Sequence, residues 1–177
     1  MTEPWLTEPN ELSWTDERTG LPCRIKRAPG MGHLCGYVGV PPTHAYFGWH
    51  YDDHIIMRPE DKEGTVDDVG VMTLMCYALG DGDKHGTIPI GMTLHVHGGI
   101  TWAGALPWDD SDPNWFWGFD CGHAGDLMPD MQEFLRGLER QRWVYRDIEY
   151  VKKEVTSLAF QLRQYEARVL TEKETTA

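Results

Sequence analysis

Alternation and helical spacing divide the chain into a strand-rich first part and a helical last part. The runs LPCRIKR (21–27) and CGYVGV (35–40) flank a Pro-Gly-Met-Gly turn and predict a hairpin. Pro41 and Pro42 end its second strand, because proline lacks the donor that continues a ladder. MTLHVH (92–97) alternates, with Met92, Leu94 and Val96 on one face and Thr93, His95 and His97 on the other, which predicts a half-buried strand. Gly98 and Gly99 interrupt it, and extended structure resumes at 100–106. After the turn cluster DDSDPN (109–114), WFWGFDC (115–121) predicts a strand antiparallel to 100–106.

Two further segments read as short helices. Thr65 and Asp68 precede Val69, Met72, Met75, Cys76 and Leu79, so a helix is expected over 66–79, although the run also fits a buried strand. Met131, Phe134, Leu135 and Leu138 predict another near 130–141. A longer helix begins near Asp147. Along it Val144, Ile148, Val151, Val155, Leu158, Leu162, Tyr165 and Val169 recur at alternating steps of four and three, the seam of a coiled coil. That seam is about 37 Å long, so either it lies across a sheet or its end pairs with a second copy in a homodimer. Residues 1–20 are acidic and carry two prolines; they read as an arm that packs through Trp5 or Trp14 without defining the fold. The domain is expected over 21–170, with a polar tail over 171–177. Strands precede helices and are joined by hairpins, so the class is α+β, an antiparallel sheet packed by C-terminal helices.

Composition narrows the function classes. A chain of 177 residues with 41% apolar and 11% aromatic side chains suits one packed domain. Sixteen Lys and Arg against 28 Asp and Glu give a net charge of −12, which disfavours broad nucleic-acid binding through phosphates and docking on anionic membranes. No apolar run approaches the roughly 18 residues of a membrane span, and the first residues lack the pattern of a signal peptide, so a cytoplasmic protein is expected. Cys23, Cys35, Cys76 and Cys121 form no C-x-x-C pair and are read as free thiols.

Candidate chemistry concentrates in 44–54, 95–102 and 119–126, which are rich in His, Asp, Gly and aromatic residues. In the last two, polar side chains stand where a strand gives way to glycine, which lets a ligand approach the backbone. If those segments meet, His97, Asp120, Cys121, His123 and Asp126 converge. A metal reading uses His95 and His97, two apart on a strand and therefore on one face, with His123 and an aspartate completing a site suited to Zn²⁺. A nucleophile reading uses Cys121 with a neighbouring imidazole. A binding reading needs no cofactor: His97, Asp120, Cys121, His123 and Asp126 orient a small molecule against the flat faces of Trp102 or Trp117. A phosphate on that molecule would need glycine-turn amides or cations such as Arg24, Lys26, Arg27 or Arg58. The bland alternatives are core packing for the tryptophans and a helix cap for Asp126.

The strings HGGITWAG (97–104), WFWGFDCGHAGD (115–126) and YRDIEYVKKEVTSLAFQL (145–162) together resemble a widespread family of small phage and prophage proteins. Its pattern is HGG(L/I)T(Y/W), then GFDCxHAGD, then an acidic helix opening YRxxEYV; CGYVGVPPTH (35–44) matches its CGYVxVPxxH segment. The resemblance implies a phage origin and a shared polar set of His97, Asp120, Cys121, His123 and Asp126, but no reaction. His95 is not part of the pattern, and residues 57–90 depart from compact members. Small phage proteins of this kind are often accessory factors that act against host defences, some by capturing or degrading nucleotide-derived signals. The resulting expectation is a phage accessory protein, in the host cytoplasm, that sequesters a small, nucleotide-derived ligand. The alternatives are a hydrolase using the same histidines and aspartates, and an acidic binder of a protein partner.

Overall fold

A computed structural model describes residues 3–56, 87–131 and 143–175, without the side chains of 56, 87–88 and 167–175. Five antiparallel strands form one sheet in the order β1-β2-β3-β7-β6. They are β1 (Glu11–Thr15), β2 (Pro22–Arg27), β3 (Leu34–Val40), β6 (Trp102–Gly104) and β7 (Trp115–Asp120). Two short strands, β4 (His54–Ile56) and β5 (Thr87–Pro89), pair apart from it. One helix, α1 (Ile148–Thr175), packs against β2 and β3. The α+β architecture expected from the pattern is the one observed.

Register decides what each face does. Gly36 stands opposite Phe119 and Val38 opposite Trp117, so these side chains share the α1 face with Cys23 and Ile25. Val151, Val155, Leu158, Ala159 and Leu162 are buried against that face, which gives the heptad seam its partner through Tyr165. A Cβ on Gly36 would fall 2.5 Å from the Val155 methyl, so glycine lets the helix approach the sheet closely. Cys35, Tyr37 and Asp120 alternate to the opposite face.

The N-terminal segment is integral to this arrangement. Residues 11–15 form the edge strand β1, and Glu8 accepts hydrogen bonds from the Ile148 amide (3.1 Å) and the Tyr145 hydroxyl (2.7 Å). With the Asp147 carboxylate accepting the Tyr150 N–H (2.8 Å), two acidic side chains satisfy two of the free donors at the α1 N-terminus.

The stretch 92–97 is not a strand. Ile90–Met92 is a 3-10 turn, and the chain through Gly99 turns rather than extends. Its backbone bonds go to the helix: the Gln161 amide both accepts from the His95 N–H (2.7 Å) and donates to the His95 carbonyl (2.8 Å), and Glu154 accepts from the His97 N–H (2.8 Å). Side-chain partners on α1 replace a sheet ladder, and the shared strand face of His95 and His97 is lost. The expected helix over 66–79 and most of that near 130–141 lie outside the described residues; Pro129–Met131 is a 3-10 turn. Val169, at the far end of the seam, has no described side chain. Among the described residues no helix is long and apolar enough to cross a membrane.

Candidate functional site

Two neighbouring polar centres form where β7 ends. The first is a cavity of about 390 Å³ on the face away from α1, bounded by Trp102, Tyr37, Met31, His33, Asp120 and Gly122. Asp120 is the last residue of β7 and its side chain is 32% exposed. Its Oδ2 accepts from the Thr101 hydroxyl (2.9 Å) and its Oδ1 from the Gly122 N–H (2.9 Å). A carboxylate offers about four lone-pair directions, so Asp120 is held in place with acceptor capacity left over. Trp102 is 36% exposed and presents apolar surface to the same space. His33 is buried with its Nδ1 unpartnered; burial lowers its pKa, against the pull of Asp120 and Asp126, and favours a neutral ring.

The second centre is built on Asp126. Its Oδ2 accepts from His97 Nε2 (2.7 Å) and from the His123 N–H (3.1 Å), and its Oδ1 from Arg146 Nε (2.9 Å). Burial alone would raise this carboxyl's pKa. The hydrogen bonds from His97 and Arg146 outweigh burial and hold it below the usual range, while Asp126 in turn raises Arg146. The other His97 ring nitrogen, Nδ1, faces the Tyr150 hydroxyl at 3.0 Å. The His97 and His123 rings meet edge-on at 5.6 Å between centroids. That approach explains the first glycine after His97: Gly98 has φ +68°, and a Cβ there would stand 2.1 Å from the His123 ring. His97, His123 and Asp126 bring one donor atom each to within 4.8 Å of one another, a group that could hold a metal ion. His123 joins the centres, its Nδ1 lying 3.8 Å from both Asp120 Oδ1 and Asp126 Oδ2.

Of the residues singled out in the sequence, His97, Asp120, His123 and Asp126 meet at this end of the sheet, with Trp102 beside Asp120. Three others do not join them. His95 is exposed and stands outside the metal-ligating group, because its segment is not a strand. Trp117 is 0% exposed in the core under α1, so it packs the helix instead of walling a pocket. Cys121 is buried, and burial, reinforced by Asp126, raises its thiol pKa; a protonated, inaccessible thiol is neither nucleophile nor ligand contact. The cations considered for a phosphate are engaged elsewhere: Arg24 with Asp112 (3.1 Å), Lys26 with Glu11 (3.2 Å) and Arg27 with Glu8 (3.5 Å). Arg58 lies outside the described residues.

Sequence reading missed His33 and Tyr37 in the cavity and Tyr150, Arg146 and Glu154 around His97. Tyr150 and Glu154 are four apart on α1, and that spacing was the available signal that one helix face addresses the 95–98 loop. No family model, curated protein or solved structure matches the chain.

Proposed function

We propose that this protein binds and holds a small, planar, neutral or cationic molecule rich in hydrogen-bond donors, in the cavity beside Asp120. The observation that carries the reading is that cavity itself. It combines the Asp120 carboxylate, fixed by Thr101 and Gly122 yet still able to accept, with the aromatic surfaces of Trp102 and Tyr37. Among the described residues the cavity wall carries no Lys or Arg, and a carboxylate in that setting repels phosphate and attracts N–H and O–H donors. A nucleobase or nucleoside fits this chemistry better than a nucleotide carrying its phosphates. The resemblance to small phage proteins supports placing such capture in a phage accessory, counter-defence role, with the ligand sequestered intact.

The reading is tested by titrating purified protein with a panel of nucleosides and heteroaromatic amines. At least one should bind, and Asp120→Ala should weaken it about ten- to a hundredfold, the range for a hydrogen bond to a charged group. Binding indifferent to both Asp120→Ala and Trp102→Ala would contradict the assignment. A second reading, hydrolysis, is favoured by the His97–His123–Asp126 group next to the cavity, where zinc would supply an activated water. Recovery of the bound molecule after denaturation separates the two: an intact molecule means sequestration, and fragments mean catalysis.

A further inference from the structure

We propose that His97 Nε2, His123 Nδ1 and Asp126 Oδ2 form a binding site for one divalent first-row transition-metal ion of the zinc class. The inference does not depend on anything occupying the Asp120 cavity. Its first support is convergence: one imidazole from the 97–99 turn and an imidazole and a carboxylate from the 123–126 turn place single donor atoms within 4.8 Å of one another. Metal–ligand distances of about 2.0–2.2 Å put neighbouring donors roughly 3–3.5 Å apart. Here Asp126 Oδ2 lies 2.7 Å from His97 Nε2 and 3.8 Å from His123 Nδ1, each within an ångström of that spacing, and the two histidine donors lie within 4.8 Å of one another.

A second, independent support is the state of each donor's remaining atoms. His123 Nδ1 is a buried ring nitrogen with no hydrogen-bond partner, a costly condition that a metal bond removes. The far nitrogen of His97 already faces the Tyr150 hydroxyl, and the far oxygen of Asp126 already accepts from Arg146. Such outer partners fix the orientation and tautomer of ligating side chains. With the ion bound, His97 takes the tautomer whose proton is on Nδ1, where the Tyr150 oxygen accepts it, and the Nε2 lone pair ligates. Imidazole nitrogens favour zinc, copper, iron or nickel over magnesium, calcium and manganese. Three protein donors leave at least one coordination position for water or a ligand.

The test uses the full chain, stripped with a chelator and titrated with zinc chloride, with magnesium chloride as the contrast. One equivalent of zinc should bind, magnesium should not, and cobalt chloride should produce the visible absorption of a nitrogen- and oxygen-ligated ion. His123→Ala should lower zinc affinity at least a hundredfold, while His95→Ala should leave it unchanged. If His123→Ala fails to fold, His123→Gln carries the same test, because the His123 imidazole Nδ1 makes no hydrogen bond among the described residues. Absence of zinc binding, or binding that survives both His123 variants, overturns the site. Nucleoside titrations on the same samples keep a failure here distinct from a failure of the cavity reading.

Discussion

Asp120 and Asp126 stand six residues apart on one turn and occupy opposite electrostatic situations. Asp126 is 2% exposed and committed on both oxygens, to His97, Arg146 and the His123 amide. Asp120 is about one-third exposed, with two neutral donors holding it and capacity to spare. A buried carboxylate surrounded by cationic or polarised donors ties chain segments together, whereas a half-open one fixed by neutral donors meets an external molecule. The same residue type thus does different work according to what surrounds it.

Removing each side chain should separate those roles. Asp126→Ala leaves Arg146 and His97 without their acceptor and unlinks the 123–127 turn, which is also bridged to Val144. Denaturant unfolding should show a loss of about 3 kcal/mol. Asp120→Ala should cost about 1 kcal/mol or less, its effect appearing in ligand affinity. Equal destabilisation by the two changes would erase the distinction.

The same separation shows which parts of the molecule were legible in the sequence. The β2–β3 hairpin, β7 and the α1 seam followed from local pattern: β3 and β7 are short apolar runs bounded by turn residues, and the helix repeats its buried positions at heptad spacing. The 92–97 run misled because its alternation is real while its backbone partners, Gln161 and Glu154, are distant in sequence. Trp117 was separable from Asp120 in principle: strand residues three apart face opposite ways, so one could not wall a pocket floored by the other. His33 carried no local signal, since it precedes β3 in a turn and meets Gly122 only through the β3–β7 pairing.

Gly98→Ala sharpens the account of the two meeting loops. The new methyl would collide with the His123 ring at a backbone φ of +68°, so a loss of about 2 kcal/mol is expected in thermal or denaturant unfolding. A neutral outcome would mean that the loops do not pack as described.

The smallest effect concerns pH. Burial lowers the pKa of His33 and His44, so their contribution to stability is present above about pH 6.5, the unfolded value, and is lost as pH falls through the lower folded values. Asp126, also lowered, adds a separate loss further down, as pH falls below its unfolded value near 4. Unfolding midpoints measured from pH 7.5 to 4.5 should therefore decline, and His44→Gln should flatten the upper part of that slope.

Native mass spectrometry of protein purified from its producing cells, wild type beside Asp120→Ala, addresses the outward-facing carboxylate most directly. A small molecule should accompany the wild type and be missing from the folded variant. Wild-type protein that travels alone, or a variant that retains the same cargo, would contradict a binding role for Asp120.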